Sequence, residues 1–184
     1  MTNSALLVMD VQQAIVDRVS DHDPGYTSRL ARAVTAARSA GVPVVYVVIG
    51  FRAGRPETRS SQAFSALPDG AFTDSDPGAA IHPDVAPRPD ESVVTKKRVS
   101  AFTGSDLDLV LRGGGIDHLV LTGLATSGVV LSTLRQAADL DFGLTVLADG
   151  CGDTDAEVHR VLTEKVFPRQ AAVTTVDAWI SALG

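Results

Sequence analysis

The sequence predicts an α/β fold: a mostly parallel sheet with helices packed on both faces. Three observations lead there. Short continuous apolar runs, Ala5–Met9 and Val44–Ile49, have the length and uniformity of strands buried on two sides. Between them lie stretches with helical spacing, such as Leu30, Ala33, Val34 and Ala37. Strand and helix signals then keep alternating, which implies right-handed crossovers and parallel pairing.

The first strand, Ala5–Met9, runs into Asp10. A loop with Asp21, Asp23, Pro24 and Gly25 precedes the first long helix, which Gly41 stops. Pro43 opens the second strand, Val44–Ile49. From Gly50 to Pro89 the chain is rich in Gly, Pro, Ser and Asp, and reads as a long excursion with at most short helices, for example around Ala63–Leu67. Ser92–Thr95 forms a third strand leading into Lys96. Leu107, Val110 and Leu111 mark a helix ended by Gly113–Gly115. Leu119–Thr122 is the fourth strand; the chain turns at Gly123 and enters a helix with Val130, Leu134 and Ala137 on one face. Leu144–Leu147 is the fifth strand, ending near Asp149. A helix with Val158, Val161 and Leu162, a strand near Ala172–Thr174 and a closing helix with Trp179 complete a six-stranded, Rossmann-like three-layer sandwich. No internal repeat and no second domain are visible, so residues 1–184 read as one domain.

With 184 residues and a 45% apolar share, the chain can bury a sizeable core. Its net charge of -6 argues against a nucleic-acid partner, which needs a basic face. No apolar run approaches the ~20 residues of a membrane span, and the N-terminus lacks the basic segment of a signal peptide. The single cysteine, Cys151, excludes an internal disulfide and fits a cytoplasmic protein. His22, His82, His118 and His159 show no metal-ligand spacing. Neither a metal nor a cofactor is expected. Lysine occurs only at 96, 97 and 165, so two of three are adjacent.

The organising stretch is Leu119–Thr133, an apolar strand turning into a helix N-terminus. Open α/β sheets bind ligands at such a carboxyl edge. Asp10 and Lys96, each ending a strand, are placed to meet there. In its segments Leu6-Leu7-Val8-Met9-Asp10-Val11-Gln12, Lys96-Lys97-Arg98-Val99-Ser100-Ala101-Phe102 and Gly123-Leu124-Ala125-Thr126-Ser127, with Thr133, Ala137 and the strand end Ala148-Asp149, the chain resembles the isochorismatase-like hydrolase superfamily, which includes cysteine amidohydrolases. The resemblance covers nearly the whole length. It implies sheet order 3-2-1-4-5-6, a cis peptide between Leu124 and Ala125, a homo-oligomer, and a small-molecule substrate. The family's amidohydrolases use an Asp, a Lys and a Cys, which fall at Asp10, Lys96 and Val129. The nucleophile is therefore missing. An Asp-x-His metal motif like that of the family's nicotinamidases is also absent after the second strand, where Gly50-Phe51-Arg52 stands.

Each residue also has a plainer reading. Asp10 alone would be a strand-end carboxylate bonding loop amides; its pairing with Lys96 across two motifs favours function. An acid in an apolar strand mouth has a raised pKa unless a cation compensates, as a general acid near neutral pH requires. Strand alternation lets only one of Lys96 and Lys97 face the site; Lys96 is favoured and Lys97 is expected at the surface. Val129 is a core or pocket-wall residue with no nucleophilic atom. Cys151 is expected to be a passive buried thiol, with a displaced nucleophile as the alternative. Ser127 is best explained as a helix N-cap. Substrate contacts are expected from Phe102, Ala125, Thr126 and Gly128, with backbone N–H groups of 125–129 offered to an anion. Arg52, rather than Arg55 or Arg59, is expected to fork a substrate carboxylate.

These readings make the chain a hydrolase of small, anionic compounds. Asp10-dependent acid–base chemistry of the enol-ether type is expected, without a cysteine. A catalytically silent ligand-binding protein and an amidohydrolase using Cys151 are the alternatives.

Overall fold

In the computed structural model, residues 3–19 and 22–184 are described; Asp21 of the expected loop lies outside them. The run after Asn3 forms β1, Ser4–Met9, buried along its length save for its first residue. Its side chains alternate between two apolar clusters: Ala5, Leu7 and Met9 enter one, Leu6 and Val8 the other. Such two-sided burial is what a continuous apolar strand can satisfy only at a sheet centre. β2 (Val44–Ile49), β3 (Ser92–Lys96), β4 (His118–Leu124), β5 (Gly143–Gly152) and β6 (Ala172–Thr174) complete a six-stranded sheet. Its order is β3-β2-β1-β4-β5-β6 and every pairing is parallel.

Helices cover both faces. α2 (Tyr26–Ser39) and α6 (Val176–Leu183) pack on the face of Leu6 and Val8, contributing Leu30, Ala33, Val34, Ala37 and Val176. α3 (Leu107–Gly113) and α4 (Leu131–Asp139) cover the other with Leu107, Leu111, Leu134 and Ala137. Burying a Leu in such a layer stabilises the fold by about 1.5–3 kcal/mol. Residues 50–89 contain only four short 3-10 turns. A small apolar cluster of Ile49, Phe51, Phe64 and Phe72 holds this excursion together.

The chain departs from its sequence-based outline in five places. β5 runs past Leu147 and Asp149 to Gly152, so Cys151 lies within it. A short helix, α1 (Gln13–Val19), follows β1 directly; it shows only Val16 and Val19 as a buried pair, too little periodicity to mark it. β4 does not turn at Gly123 but runs on to Leu124. Gly123, at φ 142°, lies so close to β1 that a side chain there would strike the Met9 carbonyl. α4 is preceded by a wider π turn over Thr126–Val130. Finally, α5 (Ala156–Val161) buries no residue, and Val158 is 37% exposed. The chain widens into a second π turn at Leu162, so the buried face no longer follows α-helical spacing.

Candidate active site

β1 ends where Asp10 takes φ 56°, turning the main chain away from the sheet at its carboxyl edge. The Asp10 amide still donates to the Val47 carbonyl (2.8 Å), so its side chain is set by the last rung of the ladder. On β3, Lys96 is the register partner of Ile49 at the end of β2. Asp10 and Lys96 thus sit on strands separated by β2, a main-chain spacing of about 9–10 Å. Their side chains close this gap over the end of β2: Lys96 Nζ lies 2.9 Å from Asp10 Oδ2. The ammonium also donates to the Arg98 carbonyl at 2.9 Å. Both residues are buried, Asp10 6% and Lys96 1% exposed.

Burial raises the Asp10 pKa above its ordinary value, against the opposing pull of the Lys96 charge and hydrogen bond and of the Ile49 amide. Asp10 Oδ1, by contrast, is buried and has no hydrogen-bond partner among the described residues. The two oxygens are therefore unlike: Oδ2 is anchored by an ammonium, Oδ1 is free to carry a proton or meet a ligand. Lys97, expected at the surface, is half-buried instead, with Nζ donating to the Gly50 carbonyl at 2.6 Å. The half-buried Arg98 donates to the Lys97 carbonyl at 2.7 Å.

The peptide between Leu124 and Ala125 is cis, and Val129 follows in the π turn. Val129 is 2% exposed and belongs to the cluster that contains Leu121, Phe102 and Cys151. Phe102 is 9% exposed and packs against Phe142, with ring centroids 6.0 Å apart. Three of the turn's backbone amides are occupied: Ser127 N–H donates to Asp153 at 2.8 Å, and Gly128 and Val130 N–H to Ala125 O at 3.0 and 3.3 Å. The N-cap is Ala125, without a side-chain cap bond, so Ser127 lies inside the first turn rather than capping it. The Thr126 hydroxyl is buried, donating to Gly152 O (3.0 Å) and sharing a 2.8 Å bond with His159 Nδ1. Since the hydroxyl proton goes to the carbonyl, the imidazole is the donor to Thr126.

Arg52 stands 73% exposed and ion-paired with Glu57, so its guanidinium is turned to a loop carboxylate rather than gathered with Asp10 and Lys96. Arg55 is bound to the Leu67 and Pro68 carbonyls. The Cys151 thiol is buried beside the Leu121 carbonyl (3.9 Å), and burial pushes its pKa up to about 12. Burial disfavours the thiolate and leaves the thiol little access, which argues against Cys151 as nucleophile. Sequence reasoning gave no structural role to two residues, His159 and Gln12. The Thr126–His159 bond joins residues far apart in sequence. Gln12, seen only as a letter in the first motif, turns out to be 1% exposed with a fully bonded carboxamide.

Comparison with known proteins identifies the family to which this fold belongs. The isochorismatase domain model matches residues 4–178. The chain is 30% identical to the isochorismatase family protein YecD of Escherichia coli O157:H7, covering 98% of this chain and 96% of that protein. It is 31% identical to the ureidoacrylate amidohydrolase RutB of Stutzerimonas stutzeri, covering 99% and 80% respectively. Among solved structures it is similar to an isochorismatase family protein from Burkholderia thailandensis, with TM-score 0.87, 29% identity, and 98% and 95% of the two chains covered. It is likewise similar to N-carbamoylsarcosine amidase from Thermoplasma acidophilum, with TM-score 0.78, 25% identity, and 96% and 98% covered. The chain belongs to the isochorismatase family and is an isochorismatase-like hydrolase.

Proposed function

We propose that this hydrolase cleaves a small anionic enol ether by acid catalysis from Asp10, without a cysteine nucleophile. The observation that carries the reading is the asymmetry of the Asp10 carboxyl group. Oδ2 is held by Lys96 at 2.9 Å, while buried Oδ1 lacks a partner among the described residues and the group's pKa is raised. A proton on Asp10 then belongs on Oδ1, the oxygen that Lys96 does not hold. Transfer of that proton to the terminal CH₂ forms the new C–H bond and leaves an oxocarbenium ion beside the Asp10 carboxylate. Lys96 stabilises the carboxylate as it forms. Water adds to the cation and returns a proton to Asp10, and the hemiketal breaks its C–O bond to release an alcohol and a ketone.

The resemblance places the amidohydrolases' nucleophilic cysteine at Val129, whose isopropyl group can only shape the pocket. Amide and carbamoyl cleavage through a thioester has no counterpart in this chain, since Cys151 is held protonated in the core. Charge favours an anionic substrate. Lys96, Lys97 and Arg98 are consecutive, and only Lys96 meets a carboxylate among the described residues; the other two are held by backbone carbonyls. With Arg52 tied to Glu57, Lys97 and Arg98 add positive charge next in sequence to Lys96 that no carboxylate neutralises among the described residues. Residues 50–89 are held by turn bonds, two isolated bridges and a small apolar cluster rather than by a strand of the sheet.

The test is turnover of 2-methoxyacrylate, which with water gives pyruvate and methanol, beside a panel of carboxylated amides and N-carbamoyl amino acids. Hydrolysis of the enol ether, lost by at least about 10²-fold in Asp10→Asn, is the expected result. Undiminished turnover in Asp10→Asn, or amide cleavage by the wild-type protein, overturns the mechanism. Binding of the whole panel without turnover also overturns it, in favour of a silent ligand-binding member.

A further inference from the structure

Beyond Asp10 the main chain leaves the sheet, and β2 still has one residue to satisfy. In a regular parallel ladder the next two bonds would join the Ile49 amide to the carbonyl of Asp10 and the Ile49 carbonyl to the backbone amide of residue 12. The Asp10 φ of 56° makes that impossible. Instead the side chain of Gln12 supplies both bonds: Oε1 accepts from the Ile49 amide at 2.9 Å, and Nε2 donates to the Ile49 carbonyl at 3.0 Å. The second Nε2 proton goes to the Ala79 carbonyl at 2.7 Å. Around it, Gln13 N–H donates to Ala80 O and His82 N–H to Val11 O, both at 2.9 Å. The carboxamide is thus a peptide group provided by a side chain, bonded at both ends to Ile49 and buried to 1% exposure.

Ile49 is the register partner of Lys96, and β2 is the strand over whose end the Asp10–Lys96 pair closes. We propose that Gln12 is a positioning residue for this site. Its carboxamide replaces the missing rung of the β1–β2 ladder, fixes the end of β2 beneath the ion pair, and docks the return limb of the excursion, residues 79–82, beside it. That Asp10 acts as the acid rests on the proposed function; the positioning itself does not depend on any activity. An apolar residue of equal length takes from the Ile49 amide its 2.9 Å acceptor, leaving it only the Asp10 carboxyl, and leaves the Ile49 and Ala79 carbonyls without the Gln12 donor in a buried site. A carboxylic acid restores the acceptor and one donor only while protonated. Ionised, it points negative charge at the Ile49 and Ala79 carbonyls. The charged groups near this carboxamide are Asp10 two residues back, Lys96 through Ile49, and Asp74 and Asp76, which line the same cavity.

The test compares the full chain with Gln12→Met and Gln12→Glu by amide hydrogen exchange, together with turnover of 2-methoxyacrylate. In Gln12→Met, exchange at Ile49 and His82 rises by about tenfold or more while Leu6 and Leu121 keep their protection. The kcat falls with little change in KM. In Gln12→Glu, protection of Ile49 is close to wild type at pH 5 and is lost at pH 8, and kcat relative to the wild type at the same pH follows it. Should Gln12→Met not fold, the pH-dependent rescue in Gln12→Glu carries the test alone. Unchanged exchange at Ile49 and His82 in Gln12→Met, or a Gln12→Glu protein whose protection is the same at both pH values, overturns the positioning role. Altered exchange with no turnover even in the wild type leaves the role standing and removes the proposed reaction.

Discussion

Replacing Lys96 by Met keeps the length of the side chain and removes its charge, so the effect on Asp10 can be read with little change in packing. In the native protein the Asp10 carboxyl is buried and its pKa lies above the ordinary 3.8 even with Lys96 2.9 Å away. Burial alone then pushes the pKa higher in the variant. A carboxyl whose folded pKa is raised gives its full stability below the unfolded pKa and loses it as pH climbs through the folded value. In Lys96→Met this loss continues to a higher pH. Across the window between the Asp10 pKa values of the two proteins, the stability deficit of the variant grows by about 1.4 kcal/mol per pH unit. It levels off near the roughly 3–5 kcal/mol typical of a broken buried pair. Near pH 4 the deficit shrinks or reverses, because native Lys96 then faces a neutral acid. Urea unfolding of both proteins from pH 4 to pH 8 measures it, and adding Asp10→Asn to Lys96→Met removes the pH dependence. A deficit that is constant across that range, or one unaffected by Asp10→Asn, refutes the electrostatic reasoning.

Four further outcomes follow from the same geometry. Cys151 reacts with iodoacetamide only after unfolding, since its thiol is buried with a pKa of about 12. Val129→Cys adds a second thiol at a core position of similar volume, costs less than about 1.5 kcal/mol, and is followed by mass spectrometry for labelling distinct from Cys151. Gly123→Ala forces a side chain against the Met9 carbonyl at positive φ and lowers stability by at least about 1–3 kcal/mol, read as a fall in Tm. Enol-ether turnover falls as pH rises through the Asp10 pKa, because the acid must be protonated, and the pH profile of kcat/KM locates that raised value.

Much of the fold was legible because its central strands are buried on both faces, and a run such as Ala5–Met9 has no other way to fold. The β2 limits coincide with their apolar run for the same reason. α1 and the π turns were not legible: a seven-residue helix offers two buried positions, and a π turn breaks the spacing by which helices are recognised. The meeting of Asp10 and Lys96 was foreseen from two motifs. The state of Arg52 was not, since its partner Glu57 is a loop residue with no sequence signal. Nor was Gln12, whose function arises only because Asp10 bends the chain and leaves Ile49 unpaired. Such a vacancy exists in three dimensions alone.

The most direct measurement is hydrolysis of 2-methoxyacrylate in D₂O, followed by NMR in the wild-type protein and in Asp10→Asn. Proton transfer from Asp10 to carbon predicts one deuterium in the methyl group of the pyruvate formed, slower turnover in D₂O than in H₂O, and loss of the reaction in Asp10→Asn. Equal rates in the two solvents together with full activity of Asp10→Asn would contradict it.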